Sequence, residues 1–195
     1  MAANEISELE RAGIAARGQA GPSGGRAPAV RALAPLHAVA LRHLPGGELA
    51  VAQALAVLGV ATLPQPGRFV GDEPRVLWRN PQELLVLSTA AMPSQFLAQA
   101  LAPTEDALAY AVDLSEGVAG LELAGPALDE LLQRLVDASA VPRAAGQGTR
   151  ARLADIAVFV LRLRHDLAWL IADRSNHAYL ADWVSHALAA LAPQP

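Results

Sequence analysis

The chain of 195 residues contains neither cysteine nor lysine. Without cysteine there is no disulfide framework, no thiolate nucleophile, no thiolate-held iron–sulfur cluster and no thiol-linked cofactor. A chain of this kind suits a reducing compartment, and the cytoplasm is its expected location. Without lysine there is no Schiff-base chemistry and no P-loop lysine, and all fifteen basic residues are arginine. Abundant alanine, arginine and glycine beside absent lysine reads as a compositional bias and not as a functional choice. Charge is sparse as well: charged residues make up 17% of the chain and the formal net charge is −4. That balance argues against a protein that holds nucleic acid by neutralising phosphates. Aromatic residues reach only 4%, so Trp78, Trp169 and Trp183 stand out as the large anchors of any packing scheme.

Long apolar runs are missing too. The longest, Leu49 to Leu63, is interrupted by Gln53 and falls short of the roughly 20 residues a membrane-spanning helix needs. Glu5, Glu8 and Glu10 occupy the positions where a secretory signal would carry basic and then apolar residues, so neither a targeting peptide nor a membrane partner is expected. The glycines Gly13, Gly18, Gly21, Gly24 and Gly25 neither follow a strand nor open a helix. Gly46-Gly47 lacks the G-x-G-x-x-G order, and no phosphate cradle is implied. The histidines His37, His43, His165, His177 and His186 show none of the spacings that bring metal ligands onto one face. The residue patterns thus assign no catalytic, cofactor-binding or metal-ligating side chain.

What is present is a hydrophobic content of 53%, enough for one compact domain or two small lobes. Residues 4–17 read as a short helix, and the Gly- and Pro-rich stretch 18–28 as a linker, so residues 1–30 form a flexible arm ahead of a domain spanning 31–192. From residue 36 the pattern predicts strand 36–43, helix 48–58, strands 75–79 and 84–88, and a helix 94–101 opened by Ser94. It then predicts strands 109–113 and 118–124, helix 126–136, strands 149–155, 157–163 and 167–172, and a helix 175–190 opened by Ser175. Each half, about 31–104 and 105–192, repeats a strand, helix, hairpin, helix order. Antiparallel hairpins between helices define an α+β fold of two ferredoxin-like halves rather than a parallel sheet.

Tyr110 to Leu135 is the most structured stretch. An apolar run stops at Asp113, Ser115 and Gly117, and Leu121 and Leu123 then alternate with smaller or polar residues. Gly125-Pro126 ends that strand. Asp129 and Glu130 follow at the positive end of a helix dipole, and Leu128, Leu131, Leu132 and Leu135 make one apolar stripe. This order of Asp-Leu-Ser, strand, Gly-Pro-Ala and Leu-rich helix resembles the signature segment of the aminomethyltransferase superfamily. Within that superfamily it is similar to the gamma-subunit family of heterotetrameric sarcosine oxidase. Leu36 to Leu44, Val76-Leu77-Trp78, Asn80 to Leu85, Gly146 to Thr149 and Tyr179 to Trp183 fall in the family's order, so the resemblance spans roughly residues 30 to 190.

The resemblance implies an aminomethyltransferase-like fold and a specific departure from catalysis. Catalytic members carry an Asn-Asp pair after the helix, whose aspartate serves folate chemistry; Asp137 and Ala138 stand at those positions here. A methyl side chain cannot hold or transfer a proton, so independent one-carbon transfer is not expected. A gamma subunit of this family is implied to be non-catalytic and to pack mainly on the large alpha subunit beside beta and delta. FAD, FMN, NAD, zinc and tetrahydrofolate would reside on those partners. The complex would oxidatively demethylate an N-methyl amino acid such as sarcosine to glycine. The alternative is a stand-alone tetrahydrofolate-binding module or degenerate aminomethyltransferase, using arginines among Arg143, Arg150, Arg152, Arg162 and Arg164. Strand alternation sets Arg150 with Arg152, and Arg162 with Arg164, as a basic sheet face for an acidic partner or a folate glutamate tail. Tyr179 and Trp183, on an alanine-rich last helix, read either as packing or as an interface pair.

Overall fold

The computed structural model describes residues 28–90 and 108–191. The helices expected at 4–17 and 94–101, with Ser94, lie outside those residues. The rest follows the anticipated order with two short strands added, β1 and β3: β1 (Ala29–Ala32), β2 (His37–His43), α1 (Glu48–Val57), β3 (Phe69–Val70), β4 (Arg75–Asn80), β5 (Glu83–Ser88), β6 (Ala109–Asp113) and β7 (Val118–Ala124) come first. They are followed by α2 (Leu128–Leu135), β8 (Gly148–Leu153), β9 (Ile156–Arg164), β10 (Leu167–Asp173) and α3 (His177–Ala189). Two five-stranded sheets result, ordered β3-β4-β5-β2-β6 and β1-β7-β10-β9-β8. Every strand pair with a recorded register is antiparallel. The chain is therefore α+β, as its pattern implies.

The described residues divide into two compact units, one within Pro35–Val118 and one in which residues 28–34 join residues 119–191. This corrects two expected boundaries. The division does not fall at 104/105, because β6 pairs with β2 from Val39↔Asp113 to His43↔Ala109 and so completes the first sheet. The arm does not extend to residue 30, because Ala29 and Val30 already pair with Ala124 and Leu123 of β7. Both corrections come from pairings between strands far apart in sequence, which local pattern does not specify.

In the Pro35–Val118 unit, alternate residues of the strands, Val39 and Leu41, Val76, and Leu84 and Val86, turn to one face and meet Val51, Ala54 and Leu55 of α1. β5 is buried at all six of its positions. In the other unit, α2 and α3 cover one face of the sheet. Leu128, Leu131, Leu132 and Leu135 of α2 and Leu180, Ala181 and Val184 of α3 share a core with Leu121, Leu123, Val158, Val160 and Leu170. The leucine stripe that predicted α2 is thus the stripe it buries.

Local punctuation differs in detail. Pro126 lies in the turn before α2, whose N-cap is Ala127. Ser175 is not a cap: it sits inside a 3₁₀ turn, Arg174–Asn176, which leads into α3. Gly125 explains its own place in the Gly-Pro motif, since its φ is +140° and a Cβ there would stand 3.0 Å from the Pro28 Cα. Its N–H also donates to the Asp166 carbonyl at 2.8 Å. Gly125→Ala is expected to lower stability by about 1–3 kcal/mol, read as a lower urea midpoint at unchanged slope.

Candidate functional site

The turn after α2 carries Asp137 and Ala138, the two positions that the resemblance sets against the Asn-Asp pair of catalytic aminomethyltransferases. The Asp137 Oδ1 accepts hydrogen bonds from the Ser139 Oγ at 2.5 Å and the Ser139 N–H at 2.8 Å. The Ser139 hydroxyl, and then its N–H, hold the Asp137 carboxyl below the usual carboxylate range. Asp137 thus caps its own turn, and Ala138 beside it is exposed. An open cleft of about 450 Å³ lies by the start of α2, lined by Pro126, Ala127, Asp129, Glu130 and Gln133. Two of those five groups are carboxylates, and one of them, Asp129, is engaged by Arg162 at 2.5 Å.

The histidines are dispersed. The side chain of His165 is 92% exposed at the β9–β10 turn. The Nδ1 atoms of His177 and His186 lie 3.1 and 2.8 Å from the carbonyls of Arg174 and Asp182. Among the described residues no group of three or more His, Cys, Asp or Glu side chains is placed to hold a metal ion.

The basic face expected from strand alternation is not assembled. Arg150 stands opposite Phe159 and Arg152 opposite Ala157, whereas Thr149 and Ala151 stand opposite Val160 and Val158. Val158 and Val160 belong to the helix-covered core. Arg162 is in phase with them, so Arg162 and Arg164 take the face opposite to that of Arg150 and Arg152. Arg162 is also only 3% exposed. Its Nη1 pairs with Asp129 and its Nη2 donates to the His165 carbonyl, which ties the start of α2 to the end of β9. Arg143 lies apart, in the loop before β8, its Nη2 donating to the Ala138 carbonyl.

Of the tryptophans, Trp169 is buried with its Nε1 donating to Glu122 at 3.3 Å, and Trp78 packs partly buried on the α1-side core. Trp183 and Tyr179 remain 42% and 40% exposed and meet edge to face with ring centroids 6.3 Å apart. A second carboxylate centre, Glu73, carries no local signal in the residue pattern. It accepts from the Thr89 N–H at 2.8 Å and the Thr89 hydroxyl at 3.1 Å, clasping the end of β5. Burial is the largest single influence and opposes its ionisation, but the bonds from Ser88, Thr89 and Ala90 together hold its carboxyl below the usual range. A depressed folded-state pKa contributes stability that is present above the ordinary carboxylate pKa and lost as pH falls through the folded value. Between about pH 5 and pH 3 wild-type protein should therefore lose stability faster than Glu73→Gln, a convergence measurable by urea titration at each pH.

The described polar groups are thus capped turns and ion pairs that hold elements together. No family model matches the chain. The structure superimposes on the glycine cleavage system aminomethyltransferase T from Bartonella henselae with a TM-score of 0.57 and 15% identity, covering 92% of this chain and 48% of that one. The fold class is accordingly that of the aminomethyltransferases. A sharper likeness follows. The sarcosine oxidase subunit gamma of Corynebacterium sp. (strain P-1) is 30% identical over 162 residues, 80% of this chain and 78% of that protein. Heterotetrameric sarcosine oxidase from Corynebacterium sp. U-96, solved in complex with pyrrole 2-carboxylate, matches with a TM-score of 0.80 at 26% identity. That match covers 100% of this chain and 96% of the other. The chain belongs to the sarcosine oxidase gamma-subunit family.

Proposed function

We propose that this chain is the non-catalytic gamma subunit of a heterotetrameric sarcosine oxidase-type enzyme, packing mainly on the large flavoprotein subunit. The whole complex oxidises the N-methyl amine and releases glycine, with formaldehyde or methylene-tetrahydrofolate and hydrogen peroxide. FAD, FMN, NAD, zinc and tetrahydrofolate belong to the partner subunits, and this chain contributes surface and rigidity. The observation that carries the reading is the likeness over the full length of the chain to one chain of a heterotetrameric sarcosine oxidase. Ala138, where a catalytic aminomethyltransferase holds its aspartate, supports it. The separation of Arg150 and Arg152 from Arg162 and Arg164 onto opposite sheet faces leaves only two arginines on the exposed face, a smaller surface than the stand-alone folate-binding alternative called for. The isolated chain, supplied with sarcosine and oxygen, is expected to form no hydrogen peroxide and to show no flavin absorbance. It is also expected to bind no tetrahydrofolate at micromolar concentration. Stoichiometric flavin on the purified chain would contradict the assignment of the cofactors to its partners.

A further inference from the structure

Among the described residues β8 is the outermost strand of its sheet, next to β9 alone. Its residues Ala151 and Leu153 turn into the helix-covered core, which leaves Arg150 and Arg152 exposed on the other face. The two guanidinium stems leave the strand about 7 Å apart, the spacing of alternate residues. Across the ladder from them stand Phe159, half-buried, and Ala157, exposed. Among the described residues the surface is therefore a pair of cations on a strand edge that no further strand joins, with the half-buried and already engaged Phe159 across the ladder.

The charges of this pair are uncompensated within the described residues. Arg42, Arg75, Arg79, Arg134, Arg162 and Arg164 each meet a carboxylate. Arg152 instead donates to the backbone carbonyl of Asp155 at 2.9 Å, and Arg150, like Arg31, Arg68 and Arg143 elsewhere, forms no ion pair among the described residues. Acidic residues outnumber arginines 19 to 15 in the chain, yet among the described residues no carboxylate pairs with Arg150 or Arg152. A surface of arginine and aromatic residues is the composition enriched at the anchoring centres of protein interfaces. An open strand edge also supplies main-chain donors and acceptors for an extended segment. Charge complementarity then identifies the occupant as an acidic polypeptide segment, and the chain's net charge of −4 disfavours a nucleic acid.

We propose that the β8 edge bearing Arg150 and Arg152 beside Phe159 docks an acidic extended segment of a partner subunit. The proposal rests on the subunit reading above and names the surface that reading leaves open. Its test uses the full chain, tagged and co-expressed with the other subunits of the complex. Wild type is compared with Arg150→Glu/Arg152→Glu, with Arg150→Gln/Arg152→Gln, and with Arg134→Glu as a charge control on α2. Charge reversal is expected to weaken retention of the flavoprotein at low salt by at least about 10-fold and neutralisation by less. The difference should shrink as salt screens the pairs, while Arg134→Glu is unchanged. The exposed positions should leave the unfolding curves of the isolated variants unaltered. If wild type retains the flavoprotein and both double variants retain it equally at every salt concentration, the docking proposal is overturned and the subunit reading stands. If wild type retains no flavoprotein, the subunit reading itself fails. Association abolished by nuclease would mark a nucleic-acid contact and overturn the proposal as well.

Discussion

Leu132→Ala should destabilise the α2/α3-covered unit by about 3–5 kcal/mol, the largest effect expected of any single truncation here. Leu132 is fully buried at the centre of the α2 stripe, and its side chain shares a core with Leu123, Val160 and Leu170. That floor is fixed by the antiparallel ladder of β9 and β10, so the neighbours cannot collapse far into the space left behind. Loss of transfer free energy and the residual cavity therefore add. Urea unfolding of the variant should show a lower midpoint at an unchanged slope. Leu44→Ala supplies the contrast: Leu44 is 55% exposed and its truncation should stay within about 0.5 kcal/mol. Equal effects of the two substitutions would mean that the core is not where the α2 stripe places it.

Arg162→Ala should cost about 2–4 kcal/mol, and for a different reason. The Arg162 side chain is 4% exposed while its partner Asp129 is 55% exposed, so removing the two partners is not equivalent. Without Arg162 the His165 carbonyl loses its donor, a buried space opens at the end of β9, and the start of α2 loses its tether. Asp129→Ala leaves the guanidinium with its bond to the His165 carbonyl, and the exposed edge of the site admits water, so its cost should be nearer 1 kcal/mol. Arg162→Met, which restores packing but no donor, should fall between the two. The order of the three midpoints is the test. Asp129→Ala costing as much as Arg162→Ala would show that the ion pair, and not the buried tether, is what matters.

The stretch from Tyr110 to Leu135 was legible because each of its signals is local. Alternation marks β6 and β7, Gly125 supplies a backbone conformation other residues resist, and the 3.6-residue period of the leucines marks the buried face of α2. What was illegible depends on partners distant in sequence. β1 and β3 are four and two residues long and carry too little pattern to be seen alone; both exist because β7 and β4 offer them an edge. The arginines teach the same lesson about the site. Alternation correctly pairs Arg150 with Arg152 on one face of β8, but the phase of β8 against β9 is set by the Arg150↔Phe159 register. One residue of register decides whether four arginines make one surface or two. Asp137 was similarly visible as a residue and invisible as a role, because its bond to Ser139 shows it to be a turn cap.

Purification of the tagged chain from its native host, followed by mass spectrometry and a visible spectrum of the eluate, tests the gamma-subunit reading most directly. The account predicts co-elution, in stoichiometric amount, with a large flavoprotein that oxidises sarcosine, and a yellow eluate whose flavin stays with the large chain when the subunits are separated. A colourless eluate containing this chain alone, from cells in which such a flavoprotein is present, would contradict it.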